Sequence, residues 1–97
     1  MISVEQQQKI SDIFSILSSP TRLAILFFLF EQEQANVSQI VSQVSISQSG
    51  VSHQLRILKE YHLVKSTREG KEMVYSLCDR HVISICEQIL EHIQESE

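Results

Sequence analysis

The chain is short of backbone punctuation, with two Gly and one Pro in 97 residues. Low Gly and Pro content argues against long disordered stretches. Long hydrophobic runs are also missing. The longest, Leu23 to Phe30, has eight residues, whereas a membrane-spanning helix needs about 20. Met1 to Gln8 lacks a basic n-region, so no export signal is read. A cytoplasmic protein with no membrane partner is expected. Cys78 and Cys86 stand eight apart, which fits neither a CxxC motif nor a disulfide framework. In a reducing compartment both are expected to be free thiols. Neither GxSxG nor HExxH occurs, so no nucleophile or metalloprotease motif suggests an enzyme.

What remains is ordinary globular composition, 42% hydrophobic and 21% charged. The length suits one domain, residues 1–97, with one core. So small a core would gain stability from a dimer interface. Net charge is −4, but it is unevenly spread. From Gln48 to Lys71, five cations (Arg56, Lys59, Lys65, Arg68 and Lys71) face two carboxylates, Glu60 and Glu69. The rest of the chain holds three cations against ten carboxylates. Phosphate responds to the local field, so this block is a candidate footprint. Charge alone leaves a merely solvated face open.

Ser3 and Gln6 have capping-box spacing. Ile10, Ile13, Phe14 and Leu17 follow at helical intervals, predicting a first helix over Val4–Leu17. Ser19 can cap a second helix with Pro20 at its first position. Leu23, Leu26, Phe27 and Phe30 line that helix. Asn36 caps a short third helix, Val37 to Val44, with Ile40, Val41 and Val44 inward. Ser45-Ile46-Ser47 is a tight turn, and a fourth helix runs from Gln48 to about Tyr61 over Val51, Leu55 and Leu58. Two short helices so joined are a helix-turn-helix. Leu63–Arg68 and Lys71–Leu77 then read as strands around a Glu69-Gly70 turn. Asp79 caps a last helix to about Glu95. The fold class is mainly α with a β-hairpin wing, a winged helix-turn-helix.

On the fourth helix Gln48, Ser49, Ser52, His53 and Arg56 fall on the outer side. A recognition helix meets the major groove through its N-terminal residues. Gln can pair with adenine, and Ser with a base or phosphate. The hairpin adds Lys65, Arg68 and Lys71 for backbone contact. A solvated amphipathic helix would show the same pattern.

Leu17-Ser18-Ser19-Pro20-Thr21-Arg22-Leu23-Ala24-Ile25-Leu26 resembles the opening signature of the ArsR/SmtB family of metal-responsive repressors. Val51-Ser52-His53-Gln54-Leu55-Arg56-Ile57-Leu58-Lys59, then His62-Leu63-Val64, resembles its recognition helix and exit. Arg68-Glu69-Gly70-Lys71 and Val74-Tyr75-Ser76-Leu77 resemble its wing. The resemblance spans nearly the whole chain. It implies operator DNA as partner and a symmetric homodimer built from the first and last helices.

Asp79, His81, His92 and Glu95 are zinc-type ligands. Alone they also fit four surface residues on a helix. His81 and His92 share a face but lie about 16 Å apart along the axis, too far for one ion. Two antiparallel copies of the helix would set residue 81 beside residue 92 of the other chain, around an axis near Cys86. Ile85, Cys86, Ile89 and Ile93 can pack across that axis. Asp-x-His, then ten intervening residues, then His-x-x-Glu, is similar to the inter-subunit site of the zinc-sensing members. The resemblance implies Zn(II) as regulatory ligand, with Co(II) an alternative ion, and release of DNA from efflux or sequestration genes when metal binds. It also implies an acceptor for the second ring N–H of His92, the backbone carbonyl at the recognition-helix exit, here His62. The family's cysteine site near the third helix has no match in Ala35-Asn36-Val37-Ser38. A redox repressor of the same fold, using Cys78 and Cys86, is the alternative.

Overall fold

Local side-chain chemistry sets most helix ends. The Ser3 amide donates to Gln6 Oε1 at 2.9 Å and the Gln6 amide to Ser3 Oγ at 3.0 Å, a capping box that opens α1 (Val4–Leu17). Ser19 caps α2 (Pro20–Gln32), which has Pro at its first turn. Asn36 and Gln39 form a second capping box at α3 (Val37–Val44). Ser47 caps α4 (Gln48–Glu60), and Asp79 caps α5 (Arg80–Ser96). These elements come from a computed structural model describing residues 1–97.

Three antiparallel strands complete the fold, in the order β1-β3-β2. β2 (Val64–Glu69) and β3 (Glu72–Leu77) form the hairpin, with Val64 opposite Leu77 and Glu69 opposite Glu72. The turn is therefore Gly70-Lys71, one residue beyond the expected Glu69-Gly70. Gly70 has φ +65°, as a II′-type loop demands of its first residue. β1 (Ala35–Asn36), which sequence periodicity did not suggest, pairs Ala35 with Tyr75 and anchors the start of α3 to the wing.

One core of 13 buried residues joins all layers. Ile25, Leu29, Ile40, Val51, Leu55 and Leu58 are fully enclosed. In α2 the buried residues are Ile25, Leu26 and Leu29, whereas Leu23 faces out. Cys86, expected to pack across an axis, is instead buried in its own chain at 1% exposure. It follows Val82 by four residues and shares its inward face. Ile85, Ile89 and Ile93 form the outward row of α5. No α1 residue is fully buried; Ile16 and Leu17 pack against the core, while Ile10 and Phe14 face out.

At the end of α4 the chain turns on His62, φ +57°. The His62 amide donates to Lys59 O at 3.1 Å and the Leu63 amide to Leu58 O at 3.0 Å, a Schellman pair. Glycine is usual at this left-handed position, which costs other L residues roughly 1–2 kcal/mol. Part of that gain is offset by the entropy of a glycine in the unfolded chain. His62→Gly is expected to raise stability by roughly 0.5–1 kcal/mol in urea unfolding. A loss of stability would mean that the His62 side chain, not its backbone geometry, holds the turn.

Candidate nucleic-acid interface and metal half-sites

α3 and α4 meet through a turn in which Ser45 is left-handed, φ 55°. Gly50 lets α4 start tightly against it, since a Cβ there would lie 3.2 Å from both Ile46 Cδ1 and Ser47 Oγ. With Val51, Leu55 and Leu58 buried, the opposite side of α4 faces solvent. Gln48, Ser49, Ser52, His53 and Arg56 together line an open depression of about 580 Å³ with no hydrophobic wall. Arg56 Nη2 lies 3.0 Å from His53 Nδ1. Guanidinium can only donate, so His53 accepts through Nδ1 and presents Nε2–H outward.

The hairpin divides its cations between two faces. Lys59 Nζ donates to Ser66 Oγ at 2.7 Å, fixing the base of the wing to α4. Strand alternation puts Arg68 on the same side as Ser66. Lys65, read from the sequence as a DNA contact, lies on the other side. It lines a groove with Glu33 and Glu87, between the end of α2 and α5. The period-2 geometry of a strand forces this, because Lys65 neighbours Ser66. At the wing tip Arg68 and Lys71 are balanced by Glu69 and Glu72, the latter accepting from Asn36 Nδ2 at 3.2 Å.

The four metal-type residues fall at the two ends of α5. At its start, Asp79 Oδ1 accepts from the Val82 amide at 3.1 Å and sits 3.5 Å from His81 Nδ1. The Val82 hydrogen bond, aided by the His81 ring, holds the Asp79 carboxyl below its ordinary range against a desolvation penalty. It is thus ionised, as a ligand must be. The His81 side chain is 93% exposed. His92 and Glu95 are exposed near the other end. No three His, Cys, Asp or Glu side chains of one chain converge on a point. Each end presents one imidazole and one carboxylate, a donor set that suits zinc.

Beside the start of α5 lies an apolar hollow of about 410 Å³, walled by α1, the α4 exit and α5. His62, Asp79 and His81 share its rim with Phe14 and Ile89. The His62 carbonyl accepts no backbone hydrogen bond. The cysteines lie apart from these groups in chemistry. Burial pushes the Cys86 thiol up, which keeps it protonated and unreactive. Cys78 precedes α5 while Cys86 is inside it. The intervening helical rise of about 9 Å exceeds the Cα span of a disulfide.

A helix-turn-helix followed by an antiparallel wing, with the polar side of its second helix exposed, defines a winged-helix DNA-binding protein. A family profile described as "Bacterial regulatory protein, arsR family" matches residues 19–66. The "Transcriptional repressor SmtB homolog" of Synechocystis is 39% identical over all of this chain and 73% of its own length. The "Cadmium resistance transcriptional regulatory protein CadC homolog" of Staphylococcus aureus is 30% identical over 97% of this chain and 78% of its own. The solution structure of apo-NmtR superposes with a TM-score of 0.80 at 30% identity, covering 98% of this chain and 79% of that one. The chain belongs to the ArsR/SmtB family of transcriptional repressors.

Proposed function

We propose that the chain acts as a homodimeric zinc-responsive repressor, one domain over residues 1–97, that holds operator DNA when metal-free and lets it go when metal binds. The observation that carries this is the split of α5. Asp79 and His81 stand at one end, His92 and Glu95 at the other, and no single chain completes a site. An isologous antiparallel pairing of two α5 helices completes two equal sites. The exposed row Ile85, Ile89 and Ile93, with Phe14 and Ile10 of α1, is the apolar face for that pairing. Zinc would supply a cross-link between the two C-terminal helices, and cobalt suits the same ligands.

The residues of the chain do the rest. Gln48, Ser49, Ser52, His53 and Arg56 face the major groove, and Arg68 and Lys71 meet the backbone beside it. Lys65 is not included in this surface. With the two chains paired, His92 of the partner subunit comes to Asp79 and His81, beside the free carbonyl of His62. A ligand histidine usually gives its second N–H to such an acceptor. His62 follows the recognition helix by two residues, so that hydrogen bond reorients α4 directly. The regulated genes are those of zinc efflux or sequestration, and the site of action is the cytoplasm, where bacterial operators lie.

The test is an anisotropy titration of operator DNA, selected from random sequence by the metal-free protein, at one stated salt concentration. Zinc is expected to weaken binding by a factor of about 5–150, the usual span of such couplings. DNA must weaken zinc binding by the same factor. Affinity unmoved by saturating zinc would overturn the sensor.

A further inference from the structure

Only two side-chain hydrogen bonds join residues far apart in the chain. One, Asn36 to Glu72, is exposed at the wing. The other is half-buried: Arg22 Nε donates to Gln54 Oε1 at 2.7 Å. Arg22 Nη1 also donates to Ile16 O at 3.2 Å, a carbonyl in the last turn of α1. Such terminal carbonyls have no partner within their own helix. The backbone of Arg22 is itself fixed, because its amide donates to the capping Ser19 Oγ at 3.3 Å. One guanidinium thus ties the end of α1, the start of α2 and the middle of α4.

We propose that Arg22 is the positioning residue for DNA recognition, setting the recognition helix through Gln54. At 100° per residue, Gln54 lies roughly opposite the centre of the Gln48-to-Arg56 face. It cannot reach a base edge while that face lies in the groove, so its influence on DNA runs through the placement of α4. The fork geometry of arginine serves two acceptors in different directions, which a lysine ammonium on one flexible stem does not reproduce. A charged donor also makes the bond stronger than a neutral pair. Arg22 therefore holds α4 in a set relation to α1, the helix that exposes Ile10 and Phe14.

The proposal rests on DNA binding by α4, and a double-mutant cycle separates the two. Operator affinity is measured by anisotropy over a range of salt for R22M, Q54L and R22M/Q54L, with R22K and Q54E as conservative variants. Thermal melting by circular dichroism confirms folding. R22M and Q54L are each expected to weaken binding about tenfold, and the double variant no further than the weaker single. The salt slope should stay at the wild-type value, R22K should not rescue, and Q54E, which keeps an acceptor, should bind as wild type. Additive losses would overturn the strut. So would a slope smaller by about one, the mark of a direct phosphate contact. Wild-type affinity in R22M would also overturn it while leaving DNA binding by α4 intact. A wild-type protein that selects no DNA would remove both. Should R22M fail to fold, Q54L against Q54E decides: equal affinity in the two rejects the strut.

Discussion

Phe14→Glu is expected to yield a folded monomer that binds operator DNA at least about a hundredfold more weakly than the parent protein. Phe14 is 69% exposed and contributes nothing to the core of its own chain. Its replacement should leave the secondary structure intact. In the proposed dimer the same side chain meets a second copy across the row of Ile85, Ile89 and Ile93, which are 53%, 45% and 50% exposed in one chain. A carboxylate buried there without a partner is costly enough to separate the subunits. Separation removes the linkage between two recognition helices. Avidity from such linkage commonly amounts to 10²–10⁴. The melting temperature should also fall, since a chain of this size draws stability from association. Sedimentation equilibrium and anisotropy on the same samples check both parts. A Phe14→Glu protein that remains dimeric would place the subunit contact elsewhere. A monomer with undiminished affinity would show that one recognition helix suffices.

The features legible in the sequence were those written within a few residues. Ser3-x-x-Gln6 and Asn36 ahead of Val37 announce their helices because a cap bonds to an amide three residues on. The inward stripe of Val51, Leu55 and Leu58 leaves the solvent-facing side of α4 by elimination. What the sequence does not write locally needs long-range information. The two residues of β1 pair with a strand some 40 positions later and carry no periodicity of their own. Lys65 belongs to the basic block along the chain, yet its strand position turns it to the hairpin side opposite Arg68. Cys86 lies midway between the two histidines along the chain. The packing of Val82 beside it turned it into the core. Arg22 stood in a recognisable signature, but its bond to Gln54 crosses 32 positions and no local pattern signals it.

The second large effect separates a shared site from any site within one chain. His81→Ala removes a proposed ligand from the first half of α5, and His92→Ala one from the second. Under the antiparallel pairing, a homodimer of either variant has both sites broken and should no longer release DNA on zinc. In a heterodimer of the two, one site combines both defects. The other takes its intact Asp79 and His81 from the His92→Ala chain, and its intact His92 and Glu95 from the His81→Ala chain. Mixing and refolding the two variants in equal amounts should make about half the dimers mixed by random association, each with one complete site. Zinc responsiveness, absent from either protein alone, should therefore return in that fraction. Tagged subunits isolate the heterodimer, and zinc titration should count one tight ion per dimer and two in the wild type. A metal held by ligands of a single chain predicts the reverse: crossing the variants restores nothing, because each chain carries its own defect into the pair.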